Sequence, residues 1–278
     1  MARPDAAEKD MTREDKVREK GAIDSGSGKT GRKGTSLSRS LAETVIAVFL
    51  VLSIRTAVAT PFYIPSGSME PTLLIGDEIA TSNFAYGYSP ASLPLGWAPE
   101  TQRRLFYRPP ARGDVVVFRA PTNPDETWVK RVIGLPGDRI AVAHGRIVLN
   151  GTPLVWTPDG PGVSEDIDGQ ETPARRFLET LPGGRQHEIL KMSAHGPLDD
   201  MAEVTVPPDH LFVLGDNRDD SSDSRLPPSE NGVGMLPIGN LIGRVDLVLG
   251  SWDLATRHKP WQDWPSGLRG TRFLSRVR

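Results

Sequence analysis

The chain has 278 residues, 28 glycines, 25 prolines, no cysteine and a net charge of −2. This length allows one large or two modest domains, and so many glycines and prolines favour short strands joined by turns over a helical bundle. The lack of cysteine excludes disulfides, catalytic thiolates and cysteine-bound zinc, and the small net charge gives no sign of nucleic acid as a partner. The five histidines lack the paired spacings of metal sites, so we expect no metal and no other cofactor.

The N-terminal region, residues 1–40, mixes charged residues with glycine, serine and threonine and contains few large apolar side chains. Such a composition cannot bury a core, so we expect a disordered tail. Its last part is basic, since no acidic residue lies between Asp24 and position 40.

Residues 41–60 form the longest apolar stretch, although Glu43 and Arg55 bracket only 11 uncharged residues. A spanning helix needs roughly 20 mostly apolar residues. We favour a transmembrane anchor with its basic N-terminal side in the cytoplasm and the rest of the chain outside. The alternatives are a cleaved signal peptide, with Ala57-Val58-Ala59 as its cleavage motif, and a buried helix of a soluble domain.

From residue 61 onward the pattern is β-like, with short runs rich in β-branched residues between turn signals. The predicted strands cover residues 78–80, 114–118, 127–133, 139–142, 146–149, 203–206, 211–214 and 241–249. Residues 81–111 predict an aromatic, proline-rich loop region. Residues 151–202 are polar and interrupted by glycine and proline, which indicates weaker strands in an insertion or a peripheral lobe.

Residues 65–70, Pro-Ser-Gly-Ser-Met-Glu, place two hydroxyl groups on either side of a glycine. Gly67 permits a positive φ or a close approach of the backbone to a ligand. A serine after such a bend can point into a cleft, so Ser68 is a candidate nucleophile. The alternative is an ordinary polar loop, and the decision depends on whether another residue can activate Ser68.

Lys130 is a candidate activator, because it lies in a strand that reads as largely buried. Desolvation lowers the pKa of a lysine, and a neutral lysine can take a proton from a serine hydroxyl. Strand alternation puts Trp128 and Lys130 on one face and Val129 and Arg131 on the other. The alternative is a lysine that reaches solvent or pairs with a nearby carboxylate.

A third polar segment, residues 215–225, combines the acids Asp216, Asp219, Asp220 and Asp223 with two arginines. Its spacing does not match a calcium-binding loop. A solvated acidic turn and an ion-pair network that stiffens a site wall are the two remaining interpretations.

Taken together and in this order, the three segments resemble the bacterial type I signal peptidase family, the membrane-bound serine proteases with a Ser-Lys dyad. Residues 65–72 resemble the family's nucleophile motif, 112–118 with 130–138 its general-base motif, and 215–225 its last motif. The similarity runs from about residue 54 to the C-terminus. At position 70 the family often has an uncharged residue, and we expect this position to tolerate change.

The resemblance implies a role for each matching residue. Ser68 would be the nucleophile, Lys130 the general base, and the Ser66 hydroxyl with the Ser68 amide the oxyanion hole. Ser221 would hold the Lys130 amine, and Asp223 with Arg225 would support the site wall as an ion pair. The substrate would add as a β-strand between two segments of the chain, with shallow pockets for small side chains such as those of an Ala-x-Ala motif. The implied substrate-binding residues are Phe62, Ile64, Pro65, Met69, Leu73, Val117, Trp128 and Val129.

The implied fold is mostly β: a signal-peptidase/LexA-like coiled β-sheet core with an inserted β-rich lobe, preceded by one transmembrane helix. We therefore divide the chain into a cytoplasmic tail, an anchor, a catalytic core, an inserted lobe and a C-terminal segment. These comprise residues 1–40, 41–60, 61–140 with 203–255, 141–202, and 256–278. The expected location is the bacterial inner membrane, crossed once, with the catalytic domain on its outer side.

The expected partners are signal peptides of exported precursors and the lipid bilayer, with the secretion translocase as a further candidate. One alternative function is a self-cleaving Ser-Lys regulator of the LexA type, but the apolar stretch and the lack of a helix-turn-helix pattern count against it. The other is a non-catalytic membrane-anchored binding module, which the presence of both Ser68 and Lys130 disfavours.

Overall fold

The computed structural model describes residues 37–92, 103–258 and 260–277. The chain divides into two compact units, residues 1–48 and 49–278. Most of the predicted disordered tail, residues 1–36, lies outside the described residues, as do residues 93–102 of the predicted loop region. The last four residues of the predicted tail are helical, so the expectation of disorder was wrong for 37–40.

The apolar N-terminal stretch forms one helix, α1 (Leu37–Val58). Several of its apolar side chains are exposed, among them Leu41, Val45 and Ile46. Among the helices in the described part of the chain, none has both the length and the apolar character required to cross a bilayer. The predicted helix is thus confirmed, and a membrane span is not shown.

The rest of the described chain is mostly β, as the sequence predicts, with short 3₁₀ turns between strands. The strands are β1 (Ala59–Tyr63), β2 (Asp77–Ser82), β3 (Val115–Arg119), β4 (Thr127–Gly134), β5 (Arg139–Ala143), β6 (Arg146–Leu149), β7 (Thr152–Pro153), β8 (Val155–Glu165), β9 (Glu171–Thr180), β10 (Gln186–Lys191), β11 (Met201–Thr205), β12 (His210–Leu214), β13 (Leu236–Pro237), β14 (Leu241–Ser251) and β15 (Ser275–Arg276).

The largest sheet has eight strands, in the order β1-β2-β14-β3-β4-β12-β13, with β15 also paired to β14. All of its pairings are antiparallel, and β14 carries register shifts against both β2 and β3. Such bulges bend a strand and increase its twist. Both faces of the sheet are buried. Val116 and Phe118 of β3 pack in one apolar cluster, and Val115 and Val117 pack in another on the opposite face.

A four-stranded sheet, in the order β11-β5-β6-β7, packs beside the main sheet. Its apolar residues, such as Ile140 and Ile147, share a buried cluster with Ile133 and Phe212 of the main sheet. The predicted boundary between core and lobe, at residues 140 and 141, therefore falls inside β5 and cuts a hairpin that belongs to a common core.

The three-stranded sheet β10-β9-β8 differs from its prediction in two ways. First, β8 has 11 residues and β9 has 10, so these strands are long rather than weak. The glycines and prolines that obscured the strand pattern in the sequence lie at a register shift in the β8–β9 pairing, between Pro158 and Pro161. Second, this lobe is not peripheral. In β10 the Leu190 amide donates to the Asp216 carbonyl at 2.9 Å, and the Leu190 carbonyl accepts from the Arg218 amide at 3.0 Å.

Candidate active site

The Ser-Gly-Ser segment forms one 3₁₀ turn, Gly67–Met69, directly after β1. Ile64, Met69 and Leu73 are buried in one apolar cluster, which fixes the turn to the sheet from below. The Ser68 carbonyl also accepts the Asn217 amide at 3.2 Å. These contacts hold Ser68 at the surface of the sheet with its hydroxyl facing a cleft.

Gly67 is required for close packing, and its φ is not positive. A Cβ at this position would lie 3.1 Å from both the Glu165 carbonyl oxygen and Glu70 Oε2. The expectation of a positive φ was wrong, and the close approach is not to a ligand. The neighbouring atoms belong to the protein itself.

Glu70 is enclosed in the structure, with only 2% of its surface exposed, whereas we expected a position open to change. Its Oε2 accepts the amide of Glu165 at 3.1 Å. Burial raises the pKa of Glu70 to about 7, although hydrogen bonds from the Glu165 amide and the Ser164 hydroxyl oppose this shift. The Glu70 carboxyl group therefore links the turn that carries Ser68 to the end of β8.

Lys130 lies in the middle of β4, between β3 and β12, and is 5% exposed. Its Nζ lies 2.8 Å from Ser68 Oγ and 5.9 Å from the centre of the Trp128 ring. Burial lowers the pKa of Lys130 to about 8, while the acids Asp223, Asp220 and Asp216 limit the decrease. Neither Glu126 nor Asp138 forms an ion pair with it, so its nearest polar contact is the Ser68 hydroxyl.

Ser66 is exposed at the rim of the turn, and its Oγ lies 3.5 Å from Ser68 Oγ. Ser221 also lines the cleft, and its hydroxyl is buried without a hydrogen-bond partner in the described chain. The expected contact from Ser221 to Lys130 is therefore not made in this structure. A Cβ at Gly215 would collide with the Ser221 hydroxyl and the Ser68 carbonyl.

The loop that follows β12 is held by charges. Asp223 accepts two hydrogen bonds from the Arg225 guanidinium, at 2.9 and 2.8 Å, and one from the Gly215 amide at 3.1 Å. Arg225 also donates to the Arg218 carbonyl at 2.7 Å. Asp223 and Arg225 thus form an ion pair behind the cleft and do not line it.

A layer of buried charges lies beneath this loop. Arg131 donates to both oxygens of Asp216, at 2.8 and 2.7 Å, and Arg218 donates to both oxygens of Glu179, at 2.9 and 2.6 Å. His187 of β10 lies between the pairs, 3.2 Å from Glu179 and 3.8 Å from Asp216. Burial would raise the pKa of Glu179, but Arg218 and His187 hold it below its ordinary value. Each arginine binds its carboxylate through two hydrogen bonds, which fix the relative orientation of the two groups in addition to pairing their charges.

The cleft over Ser68 and Lys130 has a volume of about 680 Å³. Six of the predicted substrate-binding residues line it: Phe62, Ile64, Pro65, Met69, Trp128 and Val129. Leu73 and Val117 do not, because both are completely buried in the apolar cluster below the cleft. Both were implied by the family resemblance, which carries no information on their depth in the fold.

Several cleft residues were missed by the sequence analysis. They are Tyr63, Glu126, Thr127, Leu198, Asp219, Asp220, Ser222 and Leu226. Tyr63 and Thr127 are strand neighbours of predicted residues, and Asp220 and Ser222 flank Ser221 in the loop after β12. Leu198 had no signal, because it reaches the cleft only through the packing of the inserted segment.

The arrangement suits acyl transfer. A hydroxyl group and a buried amine lie within hydrogen-bond distance, as a nucleophile and its base require. In the described residues no group of three or more His, Asp or Glu side chains is placed to hold a metal ion.

Comparison with known proteins identifies the family of this chain. Residues 37–252 match the family described as signal peptidase, peptidase S26. The chain belongs to this family. It is a serine endopeptidase of the type I signal peptidase class.

Signal peptidase I of Rickettsia typhi is 33% identical over 245 residues, covering 81% of this chain and 89% of the relative. Signal peptidase I of Pseudomonas fluorescens is 38% identical over 215 residues, covering 74% and 69%. A crystal structure of a signal peptidase I from Enterococcus faecalis is 25% identical, covers 49% of this chain and 97% of that chain, and has a TM-score of 0.28.

Proposed function

We propose that this signal peptidase removes N-terminal signal peptides from exported precursors, with Ser68 as the nucleophile and Lys130 as the general base. The observation that carries the proposal is the 2.8 Å separation between Lys130 Nζ and Ser68 Oγ, with the lysine almost completely buried. A buried amine of lowered pKa is neutral in a useful fraction of molecules near pH 8.

Lys130 accepts and returns the proton in both steps of this mechanism. Neutral Lys130 accepts the Ser68 proton as Oγ attacks the carbonyl carbon, and the ammonium then donates it to the amine of the departing mature chain. In the second step Lys130 takes a proton from water as its oxygen attacks the acyl carbon, and then returns that proton to Ser68 Oγ as the ester bond breaks and the signal peptide leaves as a carboxylic acid. The Ser66 hydroxyl and the Ser68 amide are the proposed donors to the oxyanion, a contribution of roughly 3 kcal/mol per donor in other acyl-transfer enzymes.

The residues that support the dyad act by holding other groups in place. The Asp223–Arg225 pair and the Gly215 amide fix the loop that carries Ser221. The Ser221 hydroxyl, buried beside the dyad, is then free to hold the Lys130 amine once the substrate closes the cleft.

The shape of the cleft suits an extended peptide that binds between the segment around Phe62–Ile64 and strand β4. The apolar side chains of Ile64, Met69 and Val129 leave space for small residues on the signal-peptide side of the bond. We therefore propose cleavage after an Ala-x-Ala motif.

N-terminal sequencing of the product tests this specificity. A precursor with a single Ala-x-Ala motif should give one mature N-terminus immediately after the motif. Replacing the last alanine of the motif with phenylalanine should abolish cleavage there. Unchanged cleavage of the phenylalanine precursor at the same bond would contradict the proposed pockets.

We also propose that helix α1 inserts into the bacterial inner membrane and anchors the chain there. The exposed Leu41, Val45, Ile46 and Val48 support contact of this helix with lipid. Carbonate extraction tests the attachment, because release of the full-length chain into the supernatant would refute it. The secretion translocase is a partner predicted from the family resemblance alone.

A further inference from the structure

A second cavity, of about 560 Å³, lies between one face of the sheet β8-β9-β10 and the β5–β6 hairpin. Arg175 and Phe177 are two residues apart on β9 and therefore share this face. Arg146, the first residue of β6, lies on the facing hairpin. The end of β10 closes the cavity with Lys191.

The floor of this cavity is aromatic. The rings of Trp156 and Phe177 lie 5.2 Å apart, and the Arg146 guanidinium lies 5.5 Å from the centre of the Trp156 ring. Trp156 Nε1 donates to Glu179 Oε1 at 2.7 Å, which fixes the indole in place. The floor is therefore a rigid surface.

The cavity has a clear charge preference. Its lining includes Arg146, Arg175 and Lys191 and no Asp or Glu. Lys191 is neutralised, since its ammonium group pairs with Asp199 at 2.6 Å and with Asp219. Neither Arg146 nor Arg175 forms an ion pair with a carboxylate in the described part of the chain. Two unpaired guanidinium groups beside aromatic rings suit a carboxylate on a peptide.

The cavity and the active-site cleft share a wall. Asp219 lines the cleft, while its Oδ2 accepts the amides of Met192 and Ser193, which line the cavity, at 2.8 Å each. If the signal peptide occupies the end of the active-site cleft near Phe62 and Trp128, the residues after the scissile bond pass Asp219 as they leave the cleft. That path leads towards the second cavity.

We propose that the second cavity binds an acidic side chain in the mature part of the precursor. We call it the basic groove, and it is formed by Arg146, Trp156, Arg175 and Phe177. The inference rests on the proposed function and adds a second recognition point to the same substrate. It makes cleavage depend on residues beyond the Ala-x-Ala motif.

The test uses the full-length enzyme in detergent at low ionic strength and a set of precursors with one cleavage motif. One precursor has a neutral mature segment, and the others carry a pair of adjacent glutamates moved stepwise along that segment. For wild type we expect one window of positions in which kcat/KM exceeds that of the neutral precursor by about tenfold. The double variant Arg146→Gln/Arg175→Gln should reduce this preference to less than about twofold and leave cleavage of the neutral precursor unchanged.

Arg108→Gln is the matched control, because Arg108 is exposed and lines neither cavity, and it should retain the preference. Equal cleavage of all precursors by wild type, or a preference that survives in the double variant, overturns the groove proposal alone. Failure of wild type to cut the neutral precursor overturns the proposed function instead.

Discussion

At the scale of single residues, Lys130 shows how burial changes chemistry. An exposed lysine is almost completely protonated at pH 8, whereas burial brings the pKa of Lys130 to about 8. The 2.8 Å separation from Ser68 Oγ then makes its neutral form useful as a base.

The pH dependence of cleavage follows from this lowered pKa. Only neutral Lys130 accepts the Ser68 proton, so kcat/KM should rise with pH and level off above about pH 8. Below that value it should fall about tenfold per pH unit. Initial rates on a model precursor between pH 5 and 9.5 measure this, and a flat profile down to pH 5 would rule out Lys130 as the base.

Glu70 gives a second prediction at this scale. Its raised pKa means that folding favours the protonated form, so the carboxyl group reduces stability as pH rises from about 4.5 through about 7. Glu70→Gln removes this ionisation and keeps an acceptor for the Glu165 amide. Its melting temperature should exceed that of wild type by about 5–10 °C more at pH 8 than at pH 5.

Differential scanning calorimetry at the two pH values checks this difference. Glu230→Gln, which changes an exposed acid, should show no such dependence on pH. A Glu70→Gln difference that is equal at both pH values would show that folding does not raise the pKa of the Glu70 carboxyl group.

At the scale of elements, local pattern predicted the main sheet well. Residues 114–118 and 127–133 correspond to β3 and β4 within one residue at each end. Alternation and β-branched composition depend only on the residues of each strand, so they predict strands without knowledge of how those strands pack. The lengths of β8 and β9 were underestimated, because their glycines and prolines weaken these strand patterns. The long hairpin that the two strands form nevertheless accommodates these residues.

Glu179 of β9 joins this hairpin to the catalytic loop through its bidentate pair with Arg218. Glu179→Gln leaves a buried arginine without its counter-charge and should destabilise the protein by about 3–5 kcal/mol. Urea unfolding measures this change. Asp159→Asn breaks the exposed pair with Arg176 and should change stability by less than about 1 kcal/mol. Equal effects of the two substitutions would contradict a structural role for the buried pair.

At the scale of the whole molecule, three distant segments meet at one cleft. Ser68 follows β1, Lys130 lies in β4 and Ser221 follows β12, and the pairing of β4 with β12 brings the last two together. Sequence resemblance predicted these members. It could not predict the enclosure of Glu70 or the place of Leu198, since both depend on how the inserted strands pack against the core.

The proposal that Lys130 is the general base has one direct test, the rate at which Lys130→Ala cleaves a model precursor in detergent. We predict a loss in kcat of at least about 10³-fold, with a circular dichroism spectrum and melting transition that show a folded protein. Cleavage by the folded variant at the wild-type rate would contradict the Ser-Lys mechanism.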